Sequence, residues 1–90
     1  MTIHYKQLER LVRGFSNHRR IQILEHLTGH AELSVLEISQ QLKINFKTTA
    51  QHVQRLALAG LVLKRSDGHS VRHKLSKRGA QVLKFCRTIE

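Results

Sequence analysis

Aromatic side chains supply only 4% of this 90-residue sequence and tryptophan is absent, so Leu, Ile and Val must fill any core. Cysteine occurs once, at Cys86, which excludes an intrachain disulfide and fits a reducing, cytoplasmic setting. No apolar run approaches membrane-spanning length, and the N-terminus lacks the apolar block of a secretion signal, so no membrane role is expected. The six acidic residues are scattered, no glycine-rich phosphate loop is present, and no nucleophile has an obvious base and orienter; catalysis is not expected. Linkers, repeats and low-complexity segments are missing too. Residues 1–90 therefore read as a single domain, near the lower size at which one core suffices.

Acid is scarce above all in the second half. Residues 1–42 carry five Lys/Arg against four Glu, whereas residues 43–90 carry eleven against Asp67 and Glu90 alone. Of the net charge of +10, nine units thus sit in the second half. A surface that only needs solubility has no reason to be of one sign, and like charges repel unless a polyanion relieves them. Nucleic acid fits best. A membrane surface fits less well, because the basic residues are spread over several elements instead of one amphipathic helix.

What is present is organised around Ser34 to Gly60. Ser34 and Glu37 form a capping-box pattern ahead of Val35, Leu36, Ile38 and Leu42, which cover one side of a short helix. Lys43 and Ile44 make a turn, and Asn45 caps a second helix. There Phe46, Thr49, Val53 and Leu56 form the inward stripe, and Lys47, Thr48, Gln51, His52 and Arg55 lie on another face. Gly60 supplies the stop. Two capped helices this close, the second offering donors without acid, read as a helix-turn-helix whose second helix enters the major groove of DNA. Before it, a helix over 3–13 is expected to end at Gly14, with Phe15 packing inward. Asn17 or Ser16 then caps the helix HRRIQILEHL, which Thr28 and Gly29 terminate. After it, two strand-like runs flank Asp67-Gly68, a strong hairpin signal, and Ser76 caps a last helix with Ala80, Val82, Leu83, Phe85 and Cys86. The expected architecture is mainly α with a small β-hairpin (α+β), in the order α-α-α-α-β-β-α.

FSNHRRIQILEHL, then LSVLEISQQLKINFKTTAQHVQRLALAGLV and the Asp-Gly hairpin, resemble a winged helix-turn-helix regulator of the arsenic-repressor (ArsR) type from about Phe15 to Leu75. The join Ala59-Gly60-Leu61-Val62 is the most specific part. The tail LSKRGAQVL is similar to MarR-type winged helices. The resemblance implies a DNA-binding transcription factor, usually homodimeric, with a recognition helix at 46–59 and a wing at 61–75. The family's Cys-x-Cys metal site would fall where Ser34 and Leu36 stand, and Gln81 to Glu90 supply no Asp or His for its second site, so no metal or cofactor is expected. Phe46 and Leu63 stand where the family more often has polar residues.

The expected DNA-contacting set is Lys47, Thr48, Gln51, His52 and Arg55 on the helix and Lys64, Arg65, His69 and Arg72 on the hairpin. Thr and Gln suit base edges, and Arg suits guanine or phosphate. Each has a plainer reading: the helix residues could be a solvated face, and the hairpin cations could guard an exposed strand edge. His26 and His30 are four apart, but no third ligand stands nearby, so a zinc site is not expected. Cys86 reads as core or interface. Tyr5, Leu8, Leu11 and Val12, with Val82, Leu83, Phe85 and Ile89, exceed what a monomer of this size needs, which points to a homodimer through the first and last helices. The leading reading is a homodimeric, sequence-specific regulator of double-stranded DNA. The alternatives are a non-specific nucleic-acid binder and a protein-interaction winged helix.

Overall fold

Side-chain caps mark the start of four of the five helices, all but the first. The computed structural model describes residues 1–90 as α1 (Tyr5–Phe15), α2 (His18–Gly29), α3 (Val35–Leu42), α4 (Phe46–Leu58), β1 (Val62–Ser66), β2 (Val71–Leu75) and α5 (Lys77–Ile89). Asn17 Oδ1 accepts from the backbone N–H of Arg19 and Arg20, and Asn45 Oδ1 from that of Thr48. Ser34 and Glu37 complete a reciprocal capping box, each bonding the other's N–H. Ser76 Oγ accepts from Gly79 N–H at 2.9 Å and donates to the Gly60 carbonyl at 2.7 Å, tying α5 to the end of the helix-turn-helix. Each such cap stabilises its helix by about 1 kcal/mol. Between α3 and α4 Lys43 takes the left-handed conformation at φ 56°, which makes the turn tight without a glycine.

One hydrophobic cluster holds these elements together, built from Ile23, Leu24 and Leu27 of α2, Ile38 of α3, Val53 and Leu56 of α4, Leu61 and Val62 at the hairpin root, and Val82 and Leu83 of α5. Leu and Ile dominate it, as the scarcity of aromatics requires; Phe15 is its one aromatic member.

Several sequence-based expectations change. The first helix runs to Phe15, and Gly14 lies inside it instead of ending it. A Cβ at Gly14 would run into the Cβ of Ala59, so this glycine lets α1 lie close on α4. Phe46 is 54% exposed and Leu36 52%, so neither belongs to the buried stripe. Helical side chains lean toward the N-terminus, and at the first position of α4 that carries Phe46 past the edge of the core. Leu36 sits one residue out of phase with Val35, Ile38 and Leu42. The stripe on α4 is Thr49, Val53 and Leu56, with Thr49 Oγ1 donating to the Asn45 carbonyl. Leu83 is a core residue at 3% exposure and leaves the set available to a partner subunit.

The hairpin is antiparallel, in register from Val62↔Leu75 to Ser66↔Val71. Its connection is Asp67 to Ser70, longer than the two-residue Asp-Gly turn expected. Asp67 Oδ1 accepts from the N–H of both His69 and Ser70, folding the loop around its own carboxylate. Leu33, in the α2–α3 connection, bridges to His73 of β2 and lengthens the sheet edge.

His73 is buried at 2% exposure and donates from Nδ1 to the Leu33 carbonyl at 2.9 Å. Burial holds its imidazole below the usual pKa of 6.5, with a smaller push from Lys64. The unfolded chain therefore takes up this proton before the folded one does, so stability is fully present above about pH 6.5 and declines as pH falls toward the folded value. Thermal unfolding should show a midpoint that drops between about pH 7 and pH 5. In His73→Asn, which keeps a donor near Nδ1, part of that drop should disappear; an unchanged pH profile would contradict this account.

Candidate nucleic-acid interface

The outward face of α4 is built by its cap and its stripe. With Asn45 fixing the start and Thr49, Val53 and Leu56 turned inward, Lys47, Thr48, Gln51 and Arg55 are all left exposed. The spacing from 47 to 51 to 55 stacks three of them along one side of the helix. No acid stands in the first turn of α4, so its positive dipole end and uncapped N–H groups are unopposed.

His52, expected on this face, turns instead toward α2. It is half-buried, and its Nδ1 accepts a hydrogen bond from Arg20 Nε at 3.1 Å. Burial, then the charges of Arg20, His18 and Arg19, depress its pKa and favour the neutral acceptor form that this bond needs. Arg20 also donates from Nη1 to the carbonyls of Arg13 at 3.0 Å and Gly14 at 3.4 Å, closing the C-terminal end of α1. Thus Arg20 locks α1, α2 and α4 together. The sequence hid this role, because nothing local distinguishes Arg20 from its neighbour Arg19.

On the hairpin, Arg65 and Arg72 face each other across the strands, a like-charge pair that would destabilise the sheet if left alone. Three carboxylates offset it. Arg65 Nε and Nη2 both bond Glu32 Oε1, at 2.9 and 2.6 Å. Arg72 reaches Asp67 Oδ2 at 3.0 Å and Glu37 Oε1 at 2.7 Å, and adds a longer bond to the Glu32 carbonyl. The Ser70 N–H, then Arg72, then the His69 N–H hold the Asp67 carboxyl well below the usual carboxylate range. Glu32 is lowered chiefly by Arg65, and Glu37 chiefly by the Ser34 N–H. The network joins the hairpin to the first turn of α3. Arg65 and Arg72, expected as phosphate contacts, are thus paired with carboxylates here and brace the hairpin against α3. Lys64 and His69 stay exposed with no carboxylate partner, as does Lys74, which the sequence reading did not single out.

Elsewhere, the His26 and His30 rings stack with centroids 4.1 Å apart, and His26 Nε2 bonds Gln41 Oε1 at 2.6 Å. No group of three or more His, Cys, Asp or Glu side chains could hold a metal ion. No helix is long and apolar enough to cross a membrane. An apolar groove of about 420 Å3 runs between α1 and α5, lined by Leu8, Leu11, Val12, Phe15, Val82 and Phe85. Tyr5 and Ile89 are exposed on the same two helices.

Comparison with known proteins agrees with this geometry. A family model described as winged helix-turn-helix DNA-binding matches residues 16–62. The structure is similar to the homodimeric winged helix-turn-helix DNA-binding domain of a possible ArsR-family transcriptional regulator from Mycobacterium bovis. There the TM-score is 0.84 at 26% identity, over 94% of this chain and 79% of that one. It is also similar to HlyU from Vibrio cholerae, with a TM-score of 0.80 at 29% identity over 99% and 97% of the two chains. Oxidised MarR from E. coli shares the fold, with a TM-score of 0.70 at 19% identity over 89% of this chain and 62% of that one. No curated protein matches the sequence.

Proposed function

We infer that the chain, which belongs to the winged helix-turn-helix DNA-binding family, acts as a homodimeric, sequence-specific transcriptional regulator of double-stranded DNA. The observation that carries this reading is the exposed row Lys47, Thr48, Gln51 and Arg55 on a rigidly capped helix with no acid among them. In the major groove Gln51 would pair with an adenine edge and Arg55 with guanine or a phosphate, while Lys47 and Thr48 approach the backbone beside the helix start. Residues 1–90 form the working unit of this reading, since a single core spans all the elements except the outer side of α1 and the hairpin tip. Two copies would meet through α1 and α5. The M. bovis relative is homodimeric, and closing the α1–α5 groove would cover Leu8, Val12 and Phe85.

Titration of wild-type protein with one selected duplex and its scrambled counterpart, at matched salt, tests the reading. Preference for the selected duplex supports it; equal affinity would favour non-specific nucleic-acid binding instead.

For the wing, the charges free to meet phosphate are those of Lys64 and Lys74, with His69 at the tip. Each phosphate contact releases condensed cations, so the binding constant falls with salt in proportion to the contacts made. Lys64→Ala should reduce the salt slope by roughly one unit per subunit and weaken binding to all duplexes alike. Arg65→Ala, which unlocks Glu32, should change the slope less than Lys64→Ala does. If Arg65→Ala instead produced the larger drop in slope, the Glu32 pair would be broken on DNA and the bracing role assigned to it would be wrong.

A further inference from the structure

A second cationic feature adjoins the helix-turn-helix surface and shares Arg55 with it. Arg10 and Arg13 of α1, Arg20 of α2 and Arg55 of α4 line one cleft of about 350 Å3, floored by Gly14 and Ala59. The close approach at Gly14, where no Cβ would fit against Ala59, brings arginines from three helices into this hollow. Only one carboxylate pairs with any of the four. Glu9 lies 3.2 Å from Arg13 across an exposed helix surface, a contact of little strength that water or another anion readily replaces. Arg20 is held rigidly: its Nε is spent on His52 and its Nη1 on the Arg13 and Gly14 carbonyls, which leaves both Nη2 hydrogens uncommitted. The same bonds cover the carbonyls that would otherwise repel an anion at the end of α1.

Four guanidinium groups around a hollow repel one another unless an anion sits between them. Their planar forks match the oxygens of a phosphate group better than those of a lone halide. We propose that this cleft is a second anion site, which receives a phosphate group between α1 and α4. The phosphate has two possible sources, a backbone phosphodiester of the duplex beyond the recognition helix or a free phosphate-bearing small molecule. Only the first source rests on the DNA-binding reading above.

The test compares wild type with Arg10→Gln/Arg13→Gln, and with Lys6→Gln/Lys84→Gln, which removes equal charge elsewhere. In one arm inorganic pyrophosphate is titrated at constant ionic strength while the arginine Nε–Hε resonances are followed. In the other, the salt slope of duplex DNA binding is measured for all three proteins. If the cleft takes a duplex phosphate, Arg10→Gln/Arg13→Gln lowers the slope by roughly one unit per lost contact per subunit and weakens binding about tenfold. The Lys variant then stays near wild type. If the cleft takes a free phosphate, pyrophosphate moves the Arg10, Arg13 and Arg20 resonances in wild type and leaves Arg20 unmoved in the arginine variant, with the DNA slope unchanged. Should no duplex bind wild type, the DNA reading fails and the pyrophosphate arm alone decides the cleft. Absence of both the pyrophosphate response and a slope change specific to the arginine variant overturns the proposal.

Discussion

Replacing Gly79 by alanine is expected to lower the unfolding midpoint by about 5–15 °C, although alanine is the better helix former by about 1 kcal/mol. A Cβ at this position would meet the Leu61 carbonyl oxygen, with Leu75 Cδ1 also within 2.7 Å. That carbonyl cannot step aside cheaply, because it accepts the Ser76 N–H at 3.0 Å and belongs to the fully buried root of the hairpin. The first turn of α5 would have to lift off β1, which costs roughly 2–3 kcal/mol in overpacking and lost contacts. Gly29→Ala is the control, since its Cβ would enter open space within the last turn of α2. That variant should match wild type or gain slightly in stability. Equal midpoints for the two variants would show that α5 does not sit on the hairpin root as described.

Gln51→Ala should lose discrimination more than bulk affinity, by about 1–3 kcal/mol per half-site, so that a symmetric dimer loses it twice. The Gln51 side chain is exposed and makes no hydrogen bond within the protein, so its truncation leaves the fold alone. Arg55→Ala should lose discrimination too, but with an added loss on every duplex, because Arg55 also lines the arginine cleft. Affinities measured on selected and scrambled duplexes check both variants. Equal losses on the two duplexes for Gln51→Ala would mean that the helix does not read bases.

The parts of this molecule that were legible in its sequence are those set by neighbours a few residues away. Ser34 with Glu37, Asn45 and Ser76 announce helix starts because capping acts over three residues, and the structure forms each of those bonds. The outward row on α4 follows from helical spacing for the same reason. What the sequence concealed depends on partners brought close only by folding. Gly14 resembles a helix stop, and only its contact with Ala59, at the far end of α4, shows that it is a packing position. His52 has the right helical angle for the groove, yet Arg20 of α2 claims its ring. Arg65 and Arg72 count as bare positive charge in any composition, whereas Glu32 and Glu37, more than thirty residues earlier, neutralise them. Charge totals show where basic residues cluster along the chain, but not which of them folding pairs with carboxylates.

The central claim is that two copies of α4 read DNA bases from a two-fold dimer, and selection of bound duplexes from a random pool tests it most directly. The account predicts enrichment of a pseudo-palindrome whose half-sites are centred about one helical turn apart, matching the spacing at which paired recognition helices enter successive major grooves. Recovery of duplexes with no shared sequence, or of a single unpaired half-site at every protein concentration, would contradict it.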